Sequence, residues 1–344
     1  MHSKAAVSIF SLISFCLTAH LAIADQTPEP LKSQSASTEP MQGVPPARNS
    51  QVTMHNFRDY PMSKWAFQNI GAPLNTVVIP RQGNIVSLPG PSQSQLGEKL
   101  FTTAAGEQQP FDQIFESNYG DGVAIIQGDK LLHERYFHSF NPQAQHIWFS
   151  MSKSLASSAF GLLVEQGKVD LNASPADYIT ELKGSGFERV TVQQVLDHAT
   201  SLDFKETYTD LSSDFAQHYA PALNMAYLPG ARDVQPNNSD IYGVHDFLSR
   251  FIKPDPNREP GDNFDYNSAN ADVIGWMISR ISGQPFKDFI QQNIWAKLGA
   301  EHDATFLVDR AYMPAVTGGM NSTVRDAARF GMMIRDSGKF NGEQ

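Results

Sequence analysis

Ser150 and Lys153 stand three positions apart in the stretch "FSMSKSLASSAFGLLVEQGKVDL", residues 149–171. On a helix this spacing puts both side chains on one face, within mutual reach. A serine hydroxyl is a poor nucleophile until a neighbouring group takes its proton. Lysine does this only when uncharged. Its ordinary pKa is near ~10.4, so burial or a nearby cation must favour the neutral form. The surrounding residues are apolar or small, which suits burial. A helix N-terminus also stabilises negative charge developing on an attacked carbonyl, and the serine N–H can serve as one oxyanion donor. The chemistry implied is acyl transfer. Ser-x-x-Lys arises by chance about once in a chain of this length, so a second element has to support it.

That element is "FDYNSANADVIGW". Tyr266 precedes a helical pattern, with Asn267, Ser268 and Asn270 close by. A tyrosine between Ser150 and Lys153 can relay the proton, or act as base in its phenolate form. Tyrosine and lysine have reference pKa values near ~10 and ~10.4, so moving one proton between them costs little once both are desolvated. Taken alone, Tyr266 reads better as a half-buried loop aromatic.

The elements that must position these groups are legible along the chain. "DGVAIIQGDKLLHERYF" predicts a hairpin turning at Gly128-Asp129, with Val123, Ile125, Leu132 and Tyr136 on its packed face. The Ser150 helix spans about 150–166, with Gly167 as its C′ residue. A short helix or turn begins at Pro175 and runs to Tyr178. Thr191 is the expected N-cap of "VQQVLDH". "VHDFLSRFI", "SANADVIGWMISRISG", "PFKDFIQQNIWAKLG" and "STVRDAARFGMMIRDSG" predict amphipathic helices. Gly283 closes the second, and Pro285 sits in the opening turn of the third. Residues 51–110 carry a possible short helix at "WAFQNI" and a possible strand at "NTVVIP". A hairpin followed by a mainly helical section predicts an α+β fold, with a helical region beside an antiparallel sheet. A single hairpin is thin for a stable sheet, so further C-terminal strands are expected beyond this sequence.

The chain has 344 residues, 18% charged and 41% hydrophobic, with a formal net charge of -10. That suits a globular enzyme and argues against nucleic acid or an anionic membrane surface as partner. Residues 1–24 read as a secretory signal peptide: Lys4, an apolar run, then the small-x-small site Ala22-Ile23-Ala24. This predicts an exported, periplasmic or extracellular protein. The sole cysteine, Cys16, lies inside that segment, so the mature chain has neither disulfides nor thiolate chemistry. Residues 25–50, rich in Pro, Ser and Gln, read as a disordered linker. A lead-in region follows over 51–111, and the main domain spans 112–344. His133, His138 and His198 read as structural or surface residues, and Gly318-Gly319 as a tight backbone path. No metal or organic cofactor is expected.

Four stretches taken together resemble the β-lactamase-related serine hydrolases, the penicillin-recognising fold of class C β-lactamases, D,D-peptidases, esterases and 6-aminohexanoate-oligomer hydrolases. They are "SMSK" with its helix, "VTVQQVLDHATSLDF", "YNSANADVIGWMISRISGQPF" and "TGGMNSTVRDAARFGMMI". The resemblance implies a β-lactamase/D,D-peptidase-like fold with Ser150 as nucleophile, Lys153 as its activating partner and Tyr266 as proton relay. Ser268 stands where the family's tyrosine motif usually has Asn, as in the aminohexanoate-oligomer hydrolase and some esterase branches. Ser268, Asn270 and, by likeness of "SLDFKETYTDLSSD" to the oligomer-hydrolase substrate loop, Tyr208 are the implied substrate contacts. The family's Lys-Thr-Gly or His-x-Gly strand is not found before residue 344. The activity implied is amide or ester hydrolysis on a small or peptide-like substrate. The alternatives are a D,D-carboxypeptidase or β-lactamase, and a non-catalytic binding homologue.

Overall fold

Thr76–Ile79, a run of β-branched residues, forms strand β1. In the computed structural model, which describes residues 39–90, 94–225, 241–340 and 342, β1 is one edge of an antiparallel sheet. Beyond a small separate pair at Leu100–Thr102 and Gln108–Pro110 lie the hairpin strands β2 (Gly122–Gln127) and β3 (Lys130–Tyr136). They are followed by β4 (His146–Ile147), β5 (Ala304–Leu307) and β6 (Met320–Ser322). The four-stranded sheet has the order β1-β5-β6-β4. Thr76 lies opposite Leu307, Phe306 opposite Met320, and His146 opposite Ser322. β4 runs directly into the Ser150 turn and β6 follows the Thr317–Gly319 bend, so one sheet holds both sides of the site.

The lead-in region therefore belongs to the sheet through β1. The linker expected over 25–50 is ordered from Glu39 onward. Met41 N–H donates to the Ser50 carbonyl at 2.8 Å, and Ser50 is buried. Proline-rich composition is compatible with a pinned turn as well as with disorder, and contacts with the domain decide between them. The signal-peptide expectation lies outside the described residues. Among the described residues, no helix is long and apolar enough to cross a membrane.

The hairpin turns at Gly128, with φ +58°, as expected. Its packed face differs from the expected one. Leu131 is buried, while Leu132, Val123, Ile125 and Tyr136 are only half-buried. A register shift between Ile125 and Ile126 re-phases the pair. The chain at Pro89–Gly90 then covers Leu131, whose N–H donates to the Pro89 carbonyl at 2.9 Å.

Four helices carry most of the site. α1 spans Ser152–Glu165 and is followed by Gly167 at φ +67°. α2 (Val192–Leu196) opens with a reciprocal Thr191–Gln194 capping box. α3 (Ser268–Ser282) is capped by the Asn267 side chain and closed by Gly283 in the left-handed region. α4 (Val324–Arg335) is capped by Thr323. α3 is not amphipathic over most of its length: every residue from Ser268 to Ile278 is buried. It is surrounded by α1, α2 and the helix Phe286–Ile290. A helix packed on all sides has no solvent-facing stripe, so the polar residues it carries must find partners inside the protein, and only its last turns reach solvent. Pro285 precedes the Phe286–Ile290 helix as its N-cap rather than standing in its opening turn. The architecture is α+β, an antiparallel sheet with helices packed around it.

The sheet is tied to α4 by buried charges. Asp326 accepts from the Glu301 and His302 N–H groups and from the Thr323 hydroxyl. Arg329, fully buried, donates to Asp326 at 2.9 Å, to Glu301 at 2.6 Å and to the Val86 carbonyl. Breaking one side of a buried ion pair leaves an uncompensated charge and costs about 3–5 kcal/mol. Arg329→Ala should therefore lose stability of that order, read as a lower urea midpoint. A loss under about 1 kcal/mol would show that Asp326 and Glu301 are compensated by other groups.

Candidate active site

Ser150 lies in a single 3-10 turn, Phe149–Met151, that leads into α1. The expected helix thus begins two residues late, and the tighter turn sets Ser150 almost directly above Lys153, since three residues complete a 3-10 turn. Phe149 holds φ at +45°. For a bulky residue this conformation costs about 1–3 kcal/mol and persists only where the surroundings impose it. Here they do. Trp148 N–H donates to the Met320 carbonyl at 2.8 Å, and the Trp148 indole donates to Ser322 Oγ at 2.9 Å. Phe67 packs edge-on against the Phe149 ring. Gly318 approaches the Phe149 backbone so closely that a Cβ there would sit 3.3 Å from its carbonyl carbon. The tight path expected at Gly318-Gly319 is what lets β6 support the turn. As a result, Ser150 is presented to solvent while Ser152, two residues on, is buried and accepts from Met320 N–H at 3.0 Å.

Lys153 donates to Ser150 Oγ at 3.0 Å, to the Thr317 carbonyl at 2.7 Å and to Thr317 Oγ1 at 3.1 Å. Its ammonium also lies 5.2 Å from the centre of the Tyr266 ring. Tyr266 OH donates to Ser150 Oγ at 2.8 Å. The structure therefore brings Ser150, Lys153 and Tyr266 to one point.

Two further residues hold this arrangement. His198, with φ +53°, stacks flat on the Tyr266 ring, the planes 8° apart and the centres 5.2 Å apart. Its Nδ1 accepts from Asn267 N–H at 3.1 Å, and its carbonyl accepts from Asp265 N–H. Burial and the charge of Lys153 hold the imidazole pKa below its usual range, which favours a neutral ring in this structural role. Behind Lys153, the buried Asp272 accepts from Thr317 N–H at 2.9 Å and from the Tyr219 hydroxyl. Asp272 and Thr317 were not singled out in the sequence. Thr317 lies in the quoted "TGGMNST" stretch, but its role depends on a carbonyl, which residue type does not encode.

Of the implied substrate contacts, Ser268 and Asn270 are buried, 4% and 1% exposed. Ser268 N–H donates to Glu206, and the Asn270 carboxamide meets Thr200 and His198. Both positions support the floor of the site and do not face an open cleft, because α3 is enclosed from its first turn. Tyr208 is exposed, and its hydroxyl donates to Glu206 at 2.7 Å. Burial of that hydroxyl and the adjacent carboxylate push its pKa upward. His133, read as structural or surface, is buried and meets Asp112 at 2.7 Å, with Ser94 on its other nitrogen. The bond ties the hairpin to the chain before it, a long-range pairing that no local motif announces. Among the described residues, no three His, Cys, Asp or Glu side chains converge as a metal site.

Comparison with known proteins supplies relatives. The family model described as Beta-lactamase matches residues 111–344. A 6-aminohexanoate-dimer hydrolase from Paenarthrobacter ureafaciens is 30% identical over 294 residues, spanning 86% of this chain and 70% of that protein. A β-lactamase from Pseudomonas fluorescens is 25% identical over 190 residues, 53% of this chain and 45% of its own length. Among solved structures, one described as a 6-aminohexanoate-dimer hydrolase from Bacillus anthracis superposes with a TM-score of 0.75 at 26% identity, covering 87% of this chain and 75% of that one. A penicillin-binding protein homologue from Pyrococcus abyssi shares the fold, with a TM-score of 0.51 at 18% identity over 66% of this chain and 55% of that one.

Burial pushes the Asp272 carboxyl up to about 7, against the opposing pull of its two hydrogen bonds and of Lys153. An unfolded aspartate titrates near ~3.9. The folded chain therefore binds the extra proton between those values, and stability falls as pH rises through that window. In urea unfolding, the wild type should lose midpoint between pH ~4 and ~7 relative to Asp272→Asn, whose amide does not titrate. Parallel pH profiles for the two proteins would show that Asp272 is already ionised throughout.

Proposed function

We propose, for a chain that belongs to the β-lactamase family, that it is an exported serine hydrolase that cleaves an amide or ester bond through an acyl-enzyme at Ser150. Small linear amides of the kind named for its 6-aminohexanoate-dimer hydrolase relatives are the favoured substrates. The observation that carries the reading is the convergence of Tyr266 OH at 2.8 Å and Lys153 Nζ at 3.0 Å on one exposed serine oxygen. Export rests on the N-terminal apolar run and its small-x-small site.

In this mechanism Tyr266 enters the cycle as a phenolate, its own proton already released to solvent, and Ser150 Oγ attacks the substrate carbonyl while the serine proton passes to the phenolate oxygen. Lys153 supports that transfer. Its three acceptors, Ser150 Oγ and both Thr317 oxygens, match the three N–H groups of an ammonium. A cation held there lowers the cost of a phenolate at Tyr266. The tetrahedral intermediate collapses, the C–N or C–O bond breaks, and the proton is returned from Tyr266 to the departing amine or alkoxide. Water, giving its proton to the same phenolate, then attacks the ester at Ser150; as the Oγ–C bond breaks and the acid leaves, Tyr266 returns that proton to Ser150 Oγ. The flat stack of His198 on Tyr266 keeps the phenol aligned through both halves.

A fluorophosphonate should label the protein stoichiometrically, and Ser150→Ala should abolish both labelling and turnover of a chromogenic amide or ester. Tyr266→Phe, which keeps the ring stack but removes the proton carrier, should lower kcat/KM by about 10²–10⁴-fold. Labelling that persists in Ser150→Ala would assign the nucleophile elsewhere. Acylation by a fluorescent penicillin with slow release, and no turnover of linear amides, would instead identify a penicillin-recognising peptidase.

A further inference from the structure

Arg58 stands at the edge of this site, and the mechanism above leaves it unused. Its guanidinium carbon lies 5.7 Å from the centre of the Phe149 ring, the residue that precedes the nucleophile, and 5.3 Å from that of Phe57. Nη2 contacts Met225 Sδ at 3.5 Å. Nε is shielded from solvent and has no hydrogen-bond partner. The charge also acts on the Tyr208 hydroxyl, which in turn interacts with Tyr266. Arg58 is thus placed beside the reacting serine through Phe149.

Among the described residues, three other enclosed arginines meet carboxylates, while Arg81 is met by the Ala300 and Gly83 carbonyls. Arg258 pairs with Asp255 and Asp265, Arg325 with Glu134, and Arg329 with Asp326 and Glu301. Among the described residues, Arg58 has no such partner, and burial lowers its pKa without any carboxylate to offset it. A guanidinium remains charged in any protein environment and presents a planar fork matched to a carboxylate. Arg58 as a whole is half-buried, but its guanidinium lies against Phe57 and Phe149 with Nε unsatisfied; a cation placed so is costly, and a group that brings a negative charge relieves part of that cost on binding. The faces of Phe57 and Phe149 restrict the guanidinium plane before any ligand arrives, so little orientational freedom remains to be lost.

We propose that Arg58 is a carboxylate subsite of the catalytic cleft, and that the preferred substrates are linear molecules carrying a free carboxylate on one side of the scissile bond. This deepens the serine-hydrolase reading and rests on it for the word substrate; the anion site itself does not depend on turnover.

The binding test uses Ser150→Ala protein, which cannot turn over, and compares butanoate, hexanoate and octanoate with the matching primary amides by titration calorimetry. At least one carboxylate should bind about tenfold tighter than its amide or better, and added salt should weaken that preference. Arg58→Gln should abolish the preference, and Arg58→Lys, which keeps the charge but loses the fork, should retain part of it. Equal affinity for acid and amide at every chain length would overturn the proposal, and needs no Arg58 variant to be seen. A preference that survives Arg58→Gln would overturn it as well. Fluorophosphonate labelling of the unmodified protein reports separately on the serine. Labelling without carboxylate preference removes only the subsite, while carboxylate preference without labelling supports the subsite and removes the hydrolase reading.

Discussion

Three hydrogen bonds from one ammonium hold this site together. Lys153 on α1 reaches across to both oxygens of Thr317, just before β6, and with its remaining N–H touches Ser150. Helix, sheet and nucleophile are thereby fixed to a common atom. The spacing of Ser150 and Lys153 alone would leave the lysine free to swing into solvent, since its side chain carries about 2 kcal/mol of rotamer entropy. Thr317 removes that freedom, and Thr317 is itself held from behind by Asp272. Positional precision at the serine is a property of this chain of contacts.

The same logic explains why so much polarity is buried beneath the cleft. Asp272, Asn270, Thr200 and Asn267 are all enclosed around the first turn of α3 and the Thr317 bend. Each has a partner that fixes a loop: Asn267 caps α3 and holds the Phe204 carbonyl, Asn270 meets Thr200 and His198. Buried polar groups with partners specify one arrangement, because every alternative leaves a group unsatisfied. The strained Phe149 is tolerated for the same reason. Its turn is clamped by Trp148 on one side and Gly318 on the other, so relaxing φ would break bonds to both Met320 and Ser322.

Much of this was readable from residue order. The hairpin at Gly128, the Thr191 cap, the closing Gly167 and Gly283, and the three residues that meet at Ser150 all follow from local spacing or from the resemblance of four short stretches. The misses share a cause. Leu131 rather than Leu132 is buried because a register shift and the Pro89 segment re-phase the hairpin. α3 is buried all round because three separate elements cover it. The described residues from Glu39 to Ser50 form a fixed turn because the Met41 N–H reaches the Ser50 carbonyl. In each case the deciding partner is distant in sequence or is a backbone group, and neither leaves a mark on local pattern.

The chain's own order determined which residue types are available and at what spacing: a serine and lysine one turn apart, a tyrosine before an apolar helix, glycines where the backbone must turn left. Those depend on bond geometry and helical period, which act over a few residues. Tertiary structure decided what those residues do. It set Thr317's carbonyl against Lys153, His198 flat on Tyr266 and Arg58 beside Phe149 without a carboxylate, because hydrogen bonds, ring stacking and charge act through space between segments that only folding brings within a few ångströms.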